Sequence, residues 1–414
     1  MSSANAVELI LVPEATYGQT PALATATGGA LRFTTESLSG TPTTTASQEN
    51  RVDRMSGGQV VTGLEVGGAI NGELSPDPLY QLLFQMGMMS DPVPGAPPLD
   101  LVGGSFVKDA TNPQLAEVTI LAGDLNADLM VGQMILLSGF ADPATANNGP
   151  STVVSIDPAG LSMQVTTKRE AVTVDPIPAG TVEATAPSYL DIGSEVFSAT
   201  LSKAYTDVLH LVSTDEHSQR YPGSIVNGFT VALTYGELVG VVFTTLANGY
   251  IQEAPSLSQQ IEAAGGTINP AGTAEILNAS IDMGMVTIDG LPTEFCIEAL
   301  SISLDNGNTP QNCLGKAAPT KYQAGTAAIT IEASIYLADP SYDAFMPAKL
   351  KATPIGMFFA VGNDDGGYAF DLAAVQLSFP DPAVTGQNAP VMIDASGLAK
   401  VGDGGASALR LYYW

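Results

Sequence analysis

Two histidines, His210 and His217, flank the run Ser213-Thr-Asp-Glu216, so two hydroxyls, two carboxylates and two imidazoles stand close together in the chain. These are the side chains of nucleophilic hydrolysis, in which Ser attacks, His moves the proton and Asp orients the imidazole. Such triads are assembled in space from separate elements, and no Gly-x-Ser-x-Gly elbow leads into a helix here. A solvated loop is the expectation. Asn363-Asp-Asp-Gly-Gly367 carries hard oxygen ligands of the kind calcium takes, yet it lacks the alternating ligand positions and the closing Glu of a calcium loop. It reads instead as a hairpin turn, in which Asn, Asp and Gly supply positive φ. The glycine-rich stretch Gly63–Gly72 sits inside a strand pattern and is not followed by the Gly-Lys-Ser/Thr of a phosphate loop, so tight backbone packing is expected there. Cys296 and Cys313, the only cysteines, flank a strand and turn; without an export signal they are expected to be free thiols. No Cys/His cluster has metal spacing. The residues point to neither an enzyme nor a cofactor.

The elements that carry these residues are strands. Two distant stretches share one pattern: Ala69-Ile-Asn-Gly-Glu-Leu-Ser-Pro-Asp77-Pro78-Leu-Tyr80-Gln-Leu-Leu83 and Ile331-Glu-Ala-Ser-Ile-Tyr-Leu-Ala-Asp339-Pro340-Ser-Tyr342-Asp-Ala-Phe345. In each, apolar residues alternate with small or polar ones, the mark of a half-buried strand, until an Asp-Pro pair interrupts them. Asp77 and Asp339 then stand as N-caps, with Pro78 and Pro340 at the first helical position, where a missing N–H costs nothing. Leu79, Leu82, Leu83 and Met86 follow at helical spacing, as do Tyr342, Phe345 and Met346. The apolar parity of the two strands differs by one residue relative to Asp-Pro, as a bulge would produce.

Composition narrows the class. The chain has 414 residues, 45% of them hydrophobic and 14% charged, enough for two or three domains with real cores. Thr, Val, Ala and Gly dominate, and turn signals recur about every ten residues, so the fold class expected is all-β with a few short helices. Forty-two acids against fourteen bases give a formal net charge of −28, a field that repels nucleic acid and argues against a DNA-binding surface. The acids are spread singly, and no Lys or Arg occurs between Tyr221 and Gly315. Met1–Asn5 has no basic segment, the apolar run Leu9–Val12 is too short for a signal peptide, and no transmembrane segment is visible.

The repeat extends outward from its Asp-Pro units. Before the first lie a strand at Leu31–Leu38 and a long polar loop to Gln59; before the second lie Phe295–Leu304 and a polar loop to Gly325. After the first come Glu195–Lys203 and a hairpin of Ile225–Tyr235 with Leu238–Leu246. After the second come Ile355–Val361, the Asn363–Gly367 turn, Tyr368–Phe379 and a return strand near Pro390–Asp394. Residues 1–100 together with 190–255 therefore read as one β-module and 256–414 as its duplicate, with Gln252–Ala264 as linker. Between the Pro-rich hinge Asp91–Pro98 and Ala186-Pro187-Ser188, residues 101–189 form an insert of short strands, a small barrel or sandwich expected to project from its parent module.

Leu31-Arg-Phe-Thr-Thr-Glu-Ser-Leu38, the loop Gln48-Glu-Asn-Arg51-Val-Asp-Arg54, the strand Val66-Gly-Gly-Ala-Ile-Asn-Gly-Glu-Leu74 and the helix after Asp77-Pro78 together resemble phage tail tube proteins of the long non-contractile-tailed type. Ala299-Leu-Ser-Ile-Ser-Leu-Asp-Asn306 and Thr330–Pro340 repeat the likeness. Val131-Gly-Gln-Met-Ile-Leu-Leu-Ser-Gly139 and Asn148-Gly-Pro-Ser-Thr-Val-Val154 are similar to the small exterior β-domain many of these proteins carry. The resemblance implies two tandem β-sandwich or partly closed barrel modules, each with a flanking helix, and self-assembly into stacked rings that form the conduit for DNA ejection. Three chains supplying six modules would close a pseudo-hexameric ring, with a homohexamer as the alternative. Carried over, the loops that join rings would be Ser39–Gln59, with Arg51 and Arg54, and Asp305–Gly325, with Lys316 and Lys321. The implied partners are further copies of the chain, the tape measure protein and transiting DNA in the lumen, and the tail terminator and distal tail or baseplate proteins at the ends. The implied place is the virion tail, assembled in the host bacterial cytoplasm. An exported β-domain adhesin or surface-layer protein is the competing reading, weakened by the absence of an export signal.

Overall fold

The computed structural model describes residues 3–414 except 50–51, 53–54, 56, 97, 102, 122–124, 126–128, 142, 168–169, 179–181, 211–212, 289–290, 293–295, 338–345, 347–352, 364, 383–385 and 388–389. The fold is all-β, as the alternating pattern predicts. Among the described residues the α-helices are the short segments Pro78–Met88 and Leu257–Ala264.

One antiparallel sheet runs through both halves of the chain. It starts at Ser39–Ala46 and passes through Gln59–Glu73, Gly240–Leu246 and the C-terminal part of Glu216–Thr234. It then continues through Ile297–Asp305, Ala328–Tyr336 and Met392–Ala399 to the end of Gly366–Ser378. The halves meet where Gly228–Thr234 pairs with Ala299–Asp305, residue for residue. Strict alternation explains why this layer is two-faced. The row Ile70–Phe243–Phe229–Leu304–Ile329, aligned across the strands, is buried throughout. The residues between these positions stand on the opposite, open face.

A second layer covers the buried face in each half, and the order of pairing is the same in both. In the first half Val7–Pro13 pairs with Ala199–Leu209, which pairs with Glu216–Thr234. In the second, Met283–Ile288 pairs with Ile355–Asn363, which pairs with Gly366–Ser378. Each long strand then leaves the second layer and joins the continuous sheet, through Gly240–Leu246 in one half and Met392–Ala399 in the other. In Glu216–Thr234 the crossing falls near Pro222-Gly223. Glu14 anchors it, accepting from the main-chain N–H of Gly223 at 2.9 Å and Gly18 at 2.8 Å, and from the hydroxyls of Ser198 at 2.7 Å and Thr200 at 2.6 Å. Four donors on one carboxylate hold this corner, and Gly223 allows the positive φ of 63° that it requires.

The Asp77-Pro78 signature performs as the sequence predicts. Asp77 Oδ1 accepts from the N–H of Leu79 at 2.8 Å, Pro78 occupies the first turn, and Met89 ends the helix in the left-handed region. The helix packs between the layers. Its Phe84 ring lies 5.0 Å from Phe229 and 5.1 Å from Phe243 in the first half, and 5.3 Å from Tyr368 in the second. Gly72 explains part of the glycine-rich strand, because a Cβ there would fall 2.1 Å from the Tyr80 hydroxyl. The second Asp-Pro pair, Asp339-Pro340, lies outside the described residues.

The structure alters three local expectations. The polar loop up to Gln59 is largely a hairpin arm, Ser39–Ala46 against Gln59–Gly67, because Thr-rich segments suit a strand even with both faces wet. The Gln252–Ala264 stretch is a short strand, Ile251–Glu253, followed by a capped helix. There Ser256 accepts from the Gln259 N–H while the Gln259 side chain reaches back, and Leu257 and Ile261 bury against Ile10 and Val12. The insert does not stand clear of the rest. It is an open seven-stranded sheet running from Leu99–Asp100 to Ser105–Lys108, with its own core around Phe106, Val118, Ile135 and Val165. Its Met134 side chain joins Met285, Phe358, Ala360, Ala369 and Tyr412 of the second half, so apolar burial pulls it down.

The C-terminal strand ties the halves again. Arg410–Tyr413 pairs on one side with Ser188–Asp191 and on the other with Tyr368–Asp371. The Arg410 guanidinium donates to both oxygens of Asp191, at 2.7 and 2.9 Å, and lies 4.2 Å from the Tyr189 ring centre. A planar fork on a carboxylate fixes orientation as well as charge.

Candidate assembly surfaces

The open face of the continuous sheet is built by cross-strand register. One row reads Asn71, Val242, Thr230, Ser303, Thr330, Leu398 and Gln376; the next reads Glu73, Gly240, Ala232, Ser301, Glu332, Ser396 and Ser378. Hydroxyls, small side chains and a few acids dominate it. Thr230 and Ser303 hydroxyls are 2.9 Å apart across the joint between the halves, and the Ser334 hydroxyl donates to Asp394 at 2.7 Å. The acids here include Glu65, Glu73, Asp305, Glu332 and Asp394. The strands that make this sheet hold no Lys or Arg from Ile225 to Thr234, nor in Ser39–Ala46, Gln59–Glu73, Gly240–Leu246, Ile297–Asp305, Ala328–Tyr336 or Met392–Ala399. A surface of this make-up offers phosphates no cation to bind and little apolar area to hold any solute.

The two long loops are arranged differently. The first-half arm carries exposed Val60 and Val61 on a strand paired on one side, and beyond them Val52 and Met55 are also exposed. Arg51 and Arg54, the basic residues expected at its tip, lie outside the described residues. The second-half loop is a small hairpin, Thr309–Gln311 with Lys321–Gln323, folded back on the first half. Its buried Tyr322 donates to the carbonyl of Ala247 at 3.1 Å, and the carbonyl of Ala317 accepts from Leu64 N–H at 2.8 Å. Lys316 and Lys321 are exposed on this loop.

The residues that suggested chemistry are placed otherwise than a catalytic site needs. The Ser213 hydroxyl donates to Asp215 at 2.7 Å rather than to an imidazole, and the rings of His210 and His217 stand 5.9 Å apart on an exposed hairpin end. Asn363 pairs with Gly366 at a hairpin turn, with its side chain accepting from the Asp365 N–H at 3.0 Å. Cys296 and Cys313 are free and exposed.

What the sequence did not reveal are the groups behind the outer edge of the sheet. Lys203, a buried lysine of the second layer, donates to Glu36 at 3.2 Å and to the carbonyl of Leu38 at 3.2 Å. Tyr221 donates to the same carbonyl at 3.1 Å, and Tyr80 to that of Arg32 at 2.8 Å. The edge segment Leu31–Ser39 is thus fastened from within. Its only sequence signal is an isolated Lys in an apolar strand, which pattern alone does not pair with Glu36.

No curated protein matches the chain. Over residues 4–399 the sequence matches the model of the phage tail tube protein family, and the chain therefore belongs to the phage tail tube proteins.

Proposed function

We propose that the protein self-assembles into stacked rings, with the open face of its continuous sheet lining the conduit through which DNA is ejected. The observation that carries this reading is the row-by-row make-up of that face. Ser, Thr, Asn, Gln, Ala and Gly make up most of it, with Val242 and Leu398 as scattered apolar positions; single acids punctuate it and no base interrupts it. Sliding DNA then meets no phosphate-binding cation, and the weak acidity keeps the strand centred by repulsion. Such a wall is mainly neutral and hydroxyl-rich.

The repeated pairing order supports two modules, residues 1–100 with 190–255 and residues 256–414, interrupted by the 101–189 insert. Two modules per chain make a trimer the economical closed ring, with six-fold pseudo-symmetry. Ring-to-ring contact falls to the segment Ser39–Gln59, whose sequence includes Arg51 and Arg54, and to Asp305–Gly325, with Lys316 and Lys321, both meeting acidic groups of the next ring. The tape measure protein and DNA would share the lumen without specific binding, and terminator and distal tail proteins would cap the ends, with assembly in the host cytoplasm. The role is structural rather than enzymatic.

Electron microscopy of the purified protein tests the reading: hollow rings or tubes with a lumen wide enough for duplex DNA are expected, and their absence overturns it. In phage carrying Ser301→Lys with Ser334→Lys, tails are expected to assemble while DNA ejection slows. Unchanged ejection would remove this face from the lumen.

A further inference from the structure

The linker between the halves is held to the first half by more than its apolar contacts. Alternation along Val7–Pro13 sends Leu9 and Leu11 between the layers and turns Glu8, Ile10 and Val12 to the other face, where the helix Leu257–Ala264 packs. Cross-strand register sets two rows on that face, Ile10–Ser202–Arg220–Ile251 and Glu8–Ala204–Ser218–Glu253. Glu8 lies beside the start of the helix, where Ser256 and Ser258 are buried. Glu216 reaches the same point from the start of its long strand, its N–H donating to the Gln259 side chain at 3.0 Å.

Four side chains form an unbroken line of oxygens here. Glu8 Oε2 stands 3.1 Å from Ser258 Oγ, Ser258 Oγ 3.0 Å from Ser256 Oγ, and Ser256 Oγ 2.9 Å from Glu216 Oε2. Each contact needs a proton between its oxygens. A hydroxyl has one to donate and an ionised carboxylate has none, so the two serines supply two protons for three contacts. With both carboxylates ionised, one pair would meet lone pair to lone pair with little water at hand. A third proton on Glu8 completes a single direction of donation, from Glu8 to Ser258, to Ser256, to Glu216. The surroundings favour that proton. Glu216 and Glu262 act on Glu8 as like charges, Ser202, Ala204 and Thr206 of the neighbouring strand carry no charge, and Arg220 is engaged with Glu253 at 3.2 Å. Burial first, and then those two acids, hold the Glu8 carboxyl above the ordinary Glu range, against the pull of Ser258.

We propose that Glu8, Ser258, Ser256 and Glu216 share one proton that latches the start of the linker helix to the first half, and that loss of this proton releases it. The latch does not depend on the tube reading. It sits where the chain passes from the first half to the second, so the proton sets how firmly that passage is held. The latched form keeps a proton that the released form gives up. Its contribution is therefore full below about pH 4, the ordinary range for Glu, and is lost as pH rises through the raised value of Glu8. Once the proton has gone, Glu8, Glu216 and Glu262 repel one another and one contact of the line has no hydrogen.

Hydrogen exchange of the segment 256–264 in the full chain, corrected for the intrinsic pH dependence of amide chemistry, tests the latch. Wild-type protection is expected to fall at least threefold between about pH 4 and 8. Glu8→Gln, whose amide donates to Ser258 at every pH, is expected to keep the high protection without the fall. Asp371→Asn is expected to leave the fall in place, which separates it from titration in the second half. Ser258→Ala interrupts the line of oxygens and is expected to give low protection at every pH with an unchanged circular dichroism spectrum. Wild-type protection that does not vary with pH, or a fall that survives Glu8→Gln, overturns the latch. The wild-type fall persisting in Ser258→Ala leaves only repulsion between Glu8 and its acidic neighbours, and overturns the shared proton.

Discussion

Glu216–Thr234 and Gly366–Ser378 occupy the same place in their halves, yet one continues into a second partner and the other stops before two prolines. The loops diverge in the same way. The first-half arm, Ser39–Ala46 with Gln59–Gly67, keeps a solvent-exposed outer strand, whereas the second-half loop is pinned to the first half by Tyr322. The same order of pairing thus carries different contacts in the two halves at strand ends and loops. Pairing order is preserved because register and burial of one face are strongly specified, while strand ends and loops are free to diverge.

The sharpest way to break the comparison is to remove what both halves share. Phe84→Ala empties the space among Phe229, Phe243 and Tyr368, and is expected to cost about 3–5 kcal/mol in chemical denaturation, loosening both halves together. If only first-half probes shift, the halves are less coupled than the ring contacts suggest. Tyr322→Ala tests the pinned loop: losing a buried ring and its bond to Ala247 is expected to cost about 2–4 kcal/mol and to make 309–323 sensitive to limited proteolysis, turning it into a free loop like its counterpart. Asp77→Ala removes the cap on Leu79 N–H. A loss of about 1 kcal/mol in thermal or denaturant unfolding is expected.

The smallest effect is a pH dependence confined to the second half. Burial raises the Asp371 carboxyl to about 6, against the pull of Arg410 and aided by Asp191. The folded chain therefore holds this proton more tightly than the unfolded one. Its contribution to stability is full below about pH 4, the ordinary range for Asp, and is lost as pH rises through 6. Asp371→Asn is expected to flatten the change of melting temperature between pH 4 and 7. An unaltered slope would place its origin elsewhere.

The strand-rich class, the capped helix at Asp77-Pro78 and the hairpin turn at Asn363 were legible in the sequence because each rests on neighbours within a few residues. The glycines were legible only as close packing; that Gly72 makes room for the Tyr80 hydroxyl requires two elements brought together. The arm was hidden because Thr-rich strands with two wet faces have no apolar alternation to announce them. The linker helix was hidden because its apolar contacts, Ile10 and Val12, lie some 250 residues earlier.

By itself, then, the sequence determined periodicity, punctuation and charge: which residues alternate, where Asp-Pro and Asn-Gly interrupt them, and that long strand-bearing stretches carry no base. These are local properties of backbone sterics and side-chain type. Only the tertiary structure decided that the two halves share one sheet through Gly228–Thr234 and Ala299–Asp305, that Lys203 holds Glu36 and Leu38, and that the insert rests on the second half. Each depends on which distant strands find each other in register, and that choice is made by burying one common face rather than by any residue alone.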